Sequence, residues 1–449
     1  MSYRSSKTRI SSVLACCVIV IGALSGLGIA AGTAEAAPTQ WFSTPSPNPV
    51  GGSALGDISC IGSTFCMAVG AFSAGGLIES WDGTGWSVVP FSEPANFLGF
   101  TNISCTASAF CMAVGSTSAG TSTNSLVEVW KGSTWSMLPG PANGVVLGSI
   151  SCTSPSWCVS TAYTPHVGPV IESWNGVSWT LVSIAMPPGT EFDLARISCT
   201  STTRCVAVGS ASLPPLRTEI ESWNGKTWTI NPSPNVGKYS NILEGVSCAS
   251  AVSCMAVGSY NNSSEVSQTL AETWDGVRWS VTPSPVSVRE RAFDAVSCTV
   301  PTNCVAVGSL GTTLIESWNG KQWSMVTAPK PEDNGAMAIS CTGWLRCIAV
   351  GSYLSGRASL PLILTGTGPP PPRVTSVSPA TGMIGSPVTI MGTYLARATR
   401  VTFSGTTATV VTDTSTKITT TVPTGAKTGP IQVTTAGGTA TSTRLFTVS

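Results

Sequence analysis

Cysteines in a fixed spacing, a recurring glutamate and paired tryptophans are the residues of this chain whose types could do chemistry. Of sixteen cysteines, Cys16 and Cys17 lie in an apolar N-terminal run. The other fourteen form pairs of C-x5-C spacing: Cys60/Cys66, Cys105/Cys111, Cys152/Cys158, Cys199/Cys205, Cys248/Cys254, Cys298/Cys304 and Cys341/Cys347. Zinc sites space their cysteines more closely and add histidines, whereas the one histidine here is His166. The pattern therefore predicts local disulfides in an oxidising compartment, and no metal.

A carboxylate recurs just before Ser-Trp or its equivalent, at Glu79, Glu128, Glu172, Glu221, Glu272 and Glu316, with Leu364 in the seventh copy. Acid–base catalysis needs two carboxylates in unlike environments at one locus, but these occupy equivalent places. They read as buried acceptors of hydrogen bonds from a neighbouring copy's backbone or indole. Tryptophans recur as W-(D/N)-G-x-x-W in Trp81/Trp86, Trp174/Trp179, Trp223/Trp228, Trp274/Trp279 and Trp318/Trp323, while Trp130/Trp135 carries Lys131-Gly132. Large rings at fixed positions read as packing between copies.

His166 has no Ser or Cys motif in support, and it stands in the least regular copy, where Ser160-Thr161-Ala162 replaces Ala-Val-Gly. It is expected to be a loop residue rather than a general base. Arg196, Arg204, Arg217, Arg278, Arg289, Arg291 and Arg346 are scattered, without the pattern of a sialidase-like site. No phosphate loop, calcium loop or cofactor fingerprint is present. No catalytic residue and no cofactor are assigned, and no enzymatic activity is expected, a glycan-active hydrolase being the most distant alternative.

The elements that carry these residues repeat. Successive first cysteines stand 45, 47, 47, 49, 50 and 43 residues apart, a period that suggests four-stranded propeller blades. The clearest copy reads Val296-Ser297-Cys298, Cys304 to Ser309, Leu314 to Gly320 and Trp323 to Val326. Asp82-Gly83, Asn175-Gly176, Asn224-Gly225, Asp275-Gly276 and Asn319-Gly320 mark tight hairpins between third and fourth strands. Copy seven runs into Gly368 and prolines without a fourth-strand tryptophan, and the segment Trp41 to Pro47 resembles Trp228 to Pro234. The first strand is thus expected to complete the last blade, removing open edges. The predicted fold is all-β: a seven-bladed β-propeller with disulfides inside its blades, followed by an Ig-like β-sandwich.

Glu79-Ser80-Trp81-Asp82-Gly83-Thr84-Gly85-Trp86 resembles the repeat of fucose-binding propeller lectins. That resemblance implies a sugar site between blades, with Glu79, Trp81 and Trp86 binding glycan. One residue rather than two separates glutamate from tryptophan here, which turns the side chain to the opposite strand face. Chemical variety at equivalent places points elsewhere, to the mouth of the central channel, where Asp57, Asn102 and Arg196 are candidate ligand-binding residues, or to loops such as the one with Phe97 and Phe100.

At the N-terminus, Arg4, Lys7 and Arg9 precede an apolar run from Val13 to about Ala31 and then Ala34-Glu35-Ala36. These features predict a signal peptide over 1–36 cleaved after Ala36, an uncleaved anchor being the alternative. The propeller is expected over 37–365 and a stiff proline-rich linker over 366–372. From 373 to 449, Ser378-Pro379-Ala380-Thr381-Gly382, Val388 to Gly392, Val401-Thr402-Phe403, Gly429 to Val433 and Phe446-Thr447-Val448 resemble the IPT/TIG domain, an Ig-like family found in plexins and transcription factors. The resemblance implies a fold and a spacer or accessory binding role.

Charged residues are 10% of the chain and the net charge is +1, so no basic field exists to hold nucleic acid. The expected protein is a secreted or cell-surface monomer with no membrane span after cleavage. Its partner is an extracellular protein or glycan.

Overall fold

A disulfide-closed hairpin opens every blade. In blade 1 the strands are Ala54–Cys60, Cys66–Phe72, Gly75–Trp81 and Trp86–Val88, hydrogen-bonded in that order. This computed structural model describes residues 40–449 apart from 49–50, 74, 121, 166–167, 183, 185–191, 212–214, 286–289, 310–311, 330–333, 344–345, 369–371 and 436. The leader expected over 1–36, His166 and most of the proline run lie outside the described residues.

Six further four-stranded sheets repeat the plan, with first strands Phe97–Ala107, Val146–Ser154, Phe192–Ser201, Asn241–Ser250, Ala295–Val300 and Asn334–Gly343. The seven-bladed propeller is the fold class read from the repeat. In blade 7 the outermost strand is Gln40–Ser43, from the other end of the propeller segment, antiparallel to Ala358–Thr367 with Trp41 opposite Gly366. Gly366 stands where other blades carry their first tryptophan, and a Cβ there would lie 2.7 Å from the Trp41 ring. The missing side chain makes room for the closing indole.

All seven C-x5-C pairs are bonded, their Cα atoms 3.9–4.0 Å apart across the hairpin. The pairing is as expected, but the sulfurs on the second strand carry no accessible chemistry. Cys111 and Cys158 have no exposed surface and Cys347 has almost none, so these three are core residues and not an open thiol or redox site. The reason is their place in the blade. The second strand is flanked by the first and third within its sheet, and its cysteine packs against the preceding blade: Cys111 is buried with Met67 and Val69, Cys158 with Met112 and Val114, and Cys347 with Val305 and Ile315.

The first tryptophan of each pair packs on the second, as in Trp174–Trp179 with centroids 5.6 Å apart. Its indole N–H ties down the turn of the disulfide hairpin: Trp81 donates to Ser63 O, Trp130 to Ser108 O, Trp174 to Pro155 O and Trp223 to Thr202 O. The turn aspartates and asparagines accept backbone N–H groups, Asn175 from Val177 and Ser178, while the next glycine takes the positive φ they require.

Six of the seven inner strands have a β-bulge near their start, as between Leu55 and Asp57 or Leu243 and Gly245, and that of blade 6 begins just past this place, at Ala295. The bulge presses its backbone onto the second strand. A Cβ on Gly70 would meet Ala54 O at 2.0 Å, which is why the second strand reads Ala-Val-Gly. The blades bury Val, Ile, Leu and Ala from facing sheets, as where Met67, Val69 and Ile78 meet Ile103, Ala113 and Leu126.

The C-terminal segment folds into two sheets, one formed by Arg373–Ser378, Pro387–Thr393, Val410–Asp413 and Lys417–Thr421 and the other by Arg400–Phe403, Thr406–Ala408, Ile431–Thr435 and Gly438–Thr441. Ile390, Val401, Phe403, Ile418, Val433 and Phe446 fill the space between them. This is the Ig-like sandwich expected from the sequence.

Candidate functional site

The recurring glutamates are sealed inside the propeller. Glu79, Glu128, Glu221, Glu272 and Glu316 have no exposed surface and Glu172 has almost none. Their partners come from the preceding blade: Ser46, Ser233 and Ser284, each five residues past a fourth-strand tryptophan, donate to Glu79, Glu272 and Glu316 at 2.5, 2.8 and 2.8 Å. At the equivalent place Phe91 precedes Glu128, Gly140 precedes Glu172 and Ile184 precedes Glu221. Neither carboxylate oxygen of Glu128 or Glu221 has a partner among the described residues. In blade 7, Ala328 precedes Leu364, so the polar pair is replaced by an apolar one.

Burial pushes Glu79 up to about 7, against the pull of Ser46 and the Asn48 N–H. It pushes Glu128 to the same value, and Glu221 too with the help of neighbouring Glu219. A fully buried Glu79 is out of reach of a sugar docking from outside, so the open pocket implied by the lectin resemblance is not formed there. The Arg346 guanidinium stacks over the Trp81 ring at 4.8 Å, and the Trp86 indole N–H is buried without a partner among the described residues. An inter-blade crevice does exist between blades 4 and 5, lined by Arg204, Trp223, Trp274 and Trp279, but it encloses only about 40 Å³. That is room for about three waters, too little for a sugar ring.

Phe97 and Phe100 are on the first strand of blade 2 rather than on a free loop. They pack against Phe91 at 5.8 and 5.1 Å, and Phe100 is buried. Phe91 takes the place that a serine holds in three other interfaces, and the aromatic cluster fills the gap.

The central channel is different. Its wall is made by the seven inner strands, where the residue four before the first cysteine faces the opening: Gly56, Thr101, Gly148, Ala195, Glu244 and Met337 at bulges, and Asp294 just before its strand. These residues, with Phe100, Ser309 and Ser352 among others, line a chamber of about 730 Å³. One step further along the strands the channel narrows to a neck of about 120 Å³, reached by Asp57, Asn102, Ser149, Arg196, Gly245 and Ala295.

The three candidates named from sequence therefore line one neck, below the chamber. Arg196 Nη1 stands 3.8 Å from Asp57 Oδ1, bridging blades 4 and 1 across the opening. Asp57 and Asn102 also serve the fold, since Asp57 Oδ2 accepts the Ile103 N–H at 2.9 Å and Asn102 Oδ1 the Ile150 N–H at 2.7 Å. Burial raises Asp57, an effect countered by Arg196 and by the N–H groups of Ile103 and Ile58. Asp294 is pushed up to about 6 by burial and by the Glu244 carboxylate, while the Ser309 N–H and Arg196 pull it down.

Sequence reasoning missed Glu244 and Asp294. Aligning the copies on their cysteines would have found them, because the position four before the first cysteine is the one where Gly, Thr, Ala, Glu, Asp and Met interchange. Among the described residues no group of three His, Cys, Asp or Glu side chains is arranged to hold a metal ion. No described helix is long and apolar enough to cross a membrane.

Residues 372–448 match the IPT/TIG domain family, which fixes the identity of the C-terminal sandwich and leaves the propeller unassigned. No curated protein matches the chain. Among solved structures, YCF48 bound to D1 peptide is similar at 15% identity and a TM-score of 0.51, over 74% of this chain and 99% of that one. YCF48 from Cyanidioschyzon merolae gives 13% identity and 0.51, over 73% and 98%. The GH74 xyloglucanase from Xanthomonas campestris gives 13% and 0.50, over 80% of this chain and 60% of its own. At such identities the likeness is one of fold.

Proposed function

We propose that this chain is an exported, non-catalytic recognition protein that takes its ligand, part of an extracellular protein or a glycan, into the propeller chamber. The observation that carries this reading is the contrast between two sets of repeated positions. Outside blade 7, glutamate and tryptophan positions keep their residue types and are buried or packed between blades, whereas the positions four before the first cysteine vary from Gly to Met, Glu and Asp and face a chamber of about 730 Å³. A repeat protein individualises its ligand where its copies differ.

The chamber wall combines carboxylates, hydroxyls and apolar surface, as binding pockets do. The seven disulfides fit an oxidising compartment outside the cytoplasm. In YCF48 bound to D1 peptide a propeller of similar fold holds a peptide, and a peptide segment is the ligand form that such a chamber admits most readily here.

The test is a screen of the full chain on peptide and glycan arrays beside a Thr101→Arg/Met337→Arg variant, which fills the chamber from two sides. Binding is expected to fall by about tenfold or more in the variant, equivalent to about 1.4 kcal/mol. Unchanged binding sinks the chamber reading. Glycan binding that survives in this variant but is lost in Trp81→Ala would restore a lectin site between blades.

A further inference from the structure

Inner strands of the propeller hand hydrogen bonds from blade to blade. The N–H of every first cysteine points away from its own hairpin to the serine of the preceding blade, from Cys60 on Ser340 at 3.0 Å through Cys298 on Ser247 at 2.9 Å to Cys341 on Ser297 at 3.0 Å. Two residues earlier the strand period brings an N–H back to the same side. There Ile103, Ile150 and Ile197 donate to Asp57, Asn102 and Ser149 at 2.9, 2.7 and 3.2 Å.

Halfway round, this second hand-over stops. The corresponding residues Val246, Val296, Ile339 and Ile58 stand opposite Arg196, Gly245, Ala295 and Ala338, and none of those side chains carries an acceptor. Ile58 donates its N–H to the neighbouring Asp57 carboxylate instead, which leaves Val246, Val296 and Ile339. The three donor residues are 9, 7 and 8% exposed. All three line the neck with Arg196. The guanidinium itself reaches Asp57 at 3.8 Å and makes no hydrogen bond to a described residue.

We propose that the neck is an oxyanion seat, in which Arg196 and the N–H groups of Val246, Val296 and Ile339 hold a carboxylate or similar oxyanion carried by the ligand. Buried N–H groups need acceptors, and a guanidinium matches a planar oxyanion with two parallel donors. The protein supplies its own precedent, since the Asp57 carboxylate takes an equivalent N–H from Ile103. Glu244 and Asp294, in the chamber above, repel a ligand that is anionic along its length and favour one whose remainder is neutral or cationic. The inference rests on the chamber reading and specifies its ligand class.

The experiment is a titration of the full chain, labelled with 15N-valine and 15N-isoleucine, with acetate and separately with inorganic sulfate. Saturable shifts of the Val246, Val296 and Ile339 amides are expected. Ala295→Asn, which copies Asn102 and plugs the Ile339 N–H, and Arg196→Met, which removes the guanidinium, should each weaken binding by about tenfold or more. Saturation by acetate identifies a carboxylate-bearing ligand, and saturation by sulfate alone an inorganic anion. Absence of saturation by either anion, or saturation indifferent to both substitutions, overturns the seat; if Ala295→Asn does not fold, Arg196→Met decides alone. Should the seat fail while Thr101→Arg/Met337→Arg still abolishes array binding, the chamber reading survives without it. Should the seat hold while array binding ignores that double variant, the chamber reading falls and the seat stands.

Discussion

Glu128, for which Phe91 stands at the serine's position in sequence, has neither oxygen bonded to a described residue, and burial pushes it from the usual 4.5 up to about 7. Its folded value lies above its unfolded one, so the native state keeps a proton that the unfolded state releases. The stability from that proton is complete below about pH 4.5 and is lost as pH rises through about 7. Glu79, Glu221, Glu272 and Glu316, each also raised to about 7, act in the same direction. The propeller should therefore melt at lower temperature near pH 8 than near pH 5, each group contributing at most about 1.4 kcal/mol per pH unit within that window. Glu128→Leu, copying Leu364, should raise the melting temperature more at the higher pH than at the lower. A scan in which Glu128→Leu lowers stability near pH 8 would mean that the carboxylate has a partner.

Between blades, the Ser–Glu contact is an exchangeable pair. Ser284→Ala alone removes the donor to a buried carboxylate and should cost about 1–2 kcal/mol in urea unfolding. Ser284→Ala/Glu316→Leu rebuilds the Ala328–Leu364 arrangement and should recover most of that loss, because removing both polar partners leaves nothing unsatisfied. If the double variant is no better than the single one, the apolar precedent in blade 7 does not transfer. Strands, hairpins and disulfides were legible in the sequence because each is a local pattern: C-x5-C closes its own hairpin and Asn-Gly its own turn. The depth at which Cys111, Cys158 and Cys347 sit was not, since the preceding blade is what covers them. The serine partners of Glu79, Glu272 and Glu316 were not legible either, coming from the neighbouring blade 32 to 39 residues away. Glu244 escaped because a bulge rather than strict alternation aims the residue four before the cysteine into the channel, and Asp294 because it reaches the same place from just before its strand.

For the molecule as a whole, closure rests on one short strand. Trp41 is 6% exposed and packs on Gly366, so Gly366→Ala should displace the ring and destabilise the propeller by about 1–3 kcal/mol, read as a lower urea midpoint. An unchanged midpoint would mean that the Trp41 strand contributes little to closure. The closed ring, with disulfides and tryptophan turns at one end of the inner strands and the chamber at the other, leaves the channel as the place where seven similar blades present unlike side chains. Deuterium uptake of the full chain, alone and saturated with the ligand retained on the arrays, tests that claim most directly. The account predicts protection concentrated in the inner strands Asn241–Ser250, Ala295–Val300 and Asn334–Gly343. Protection confined to the outer strands or to 373–449, with the inner strands unchanged, would contradict it.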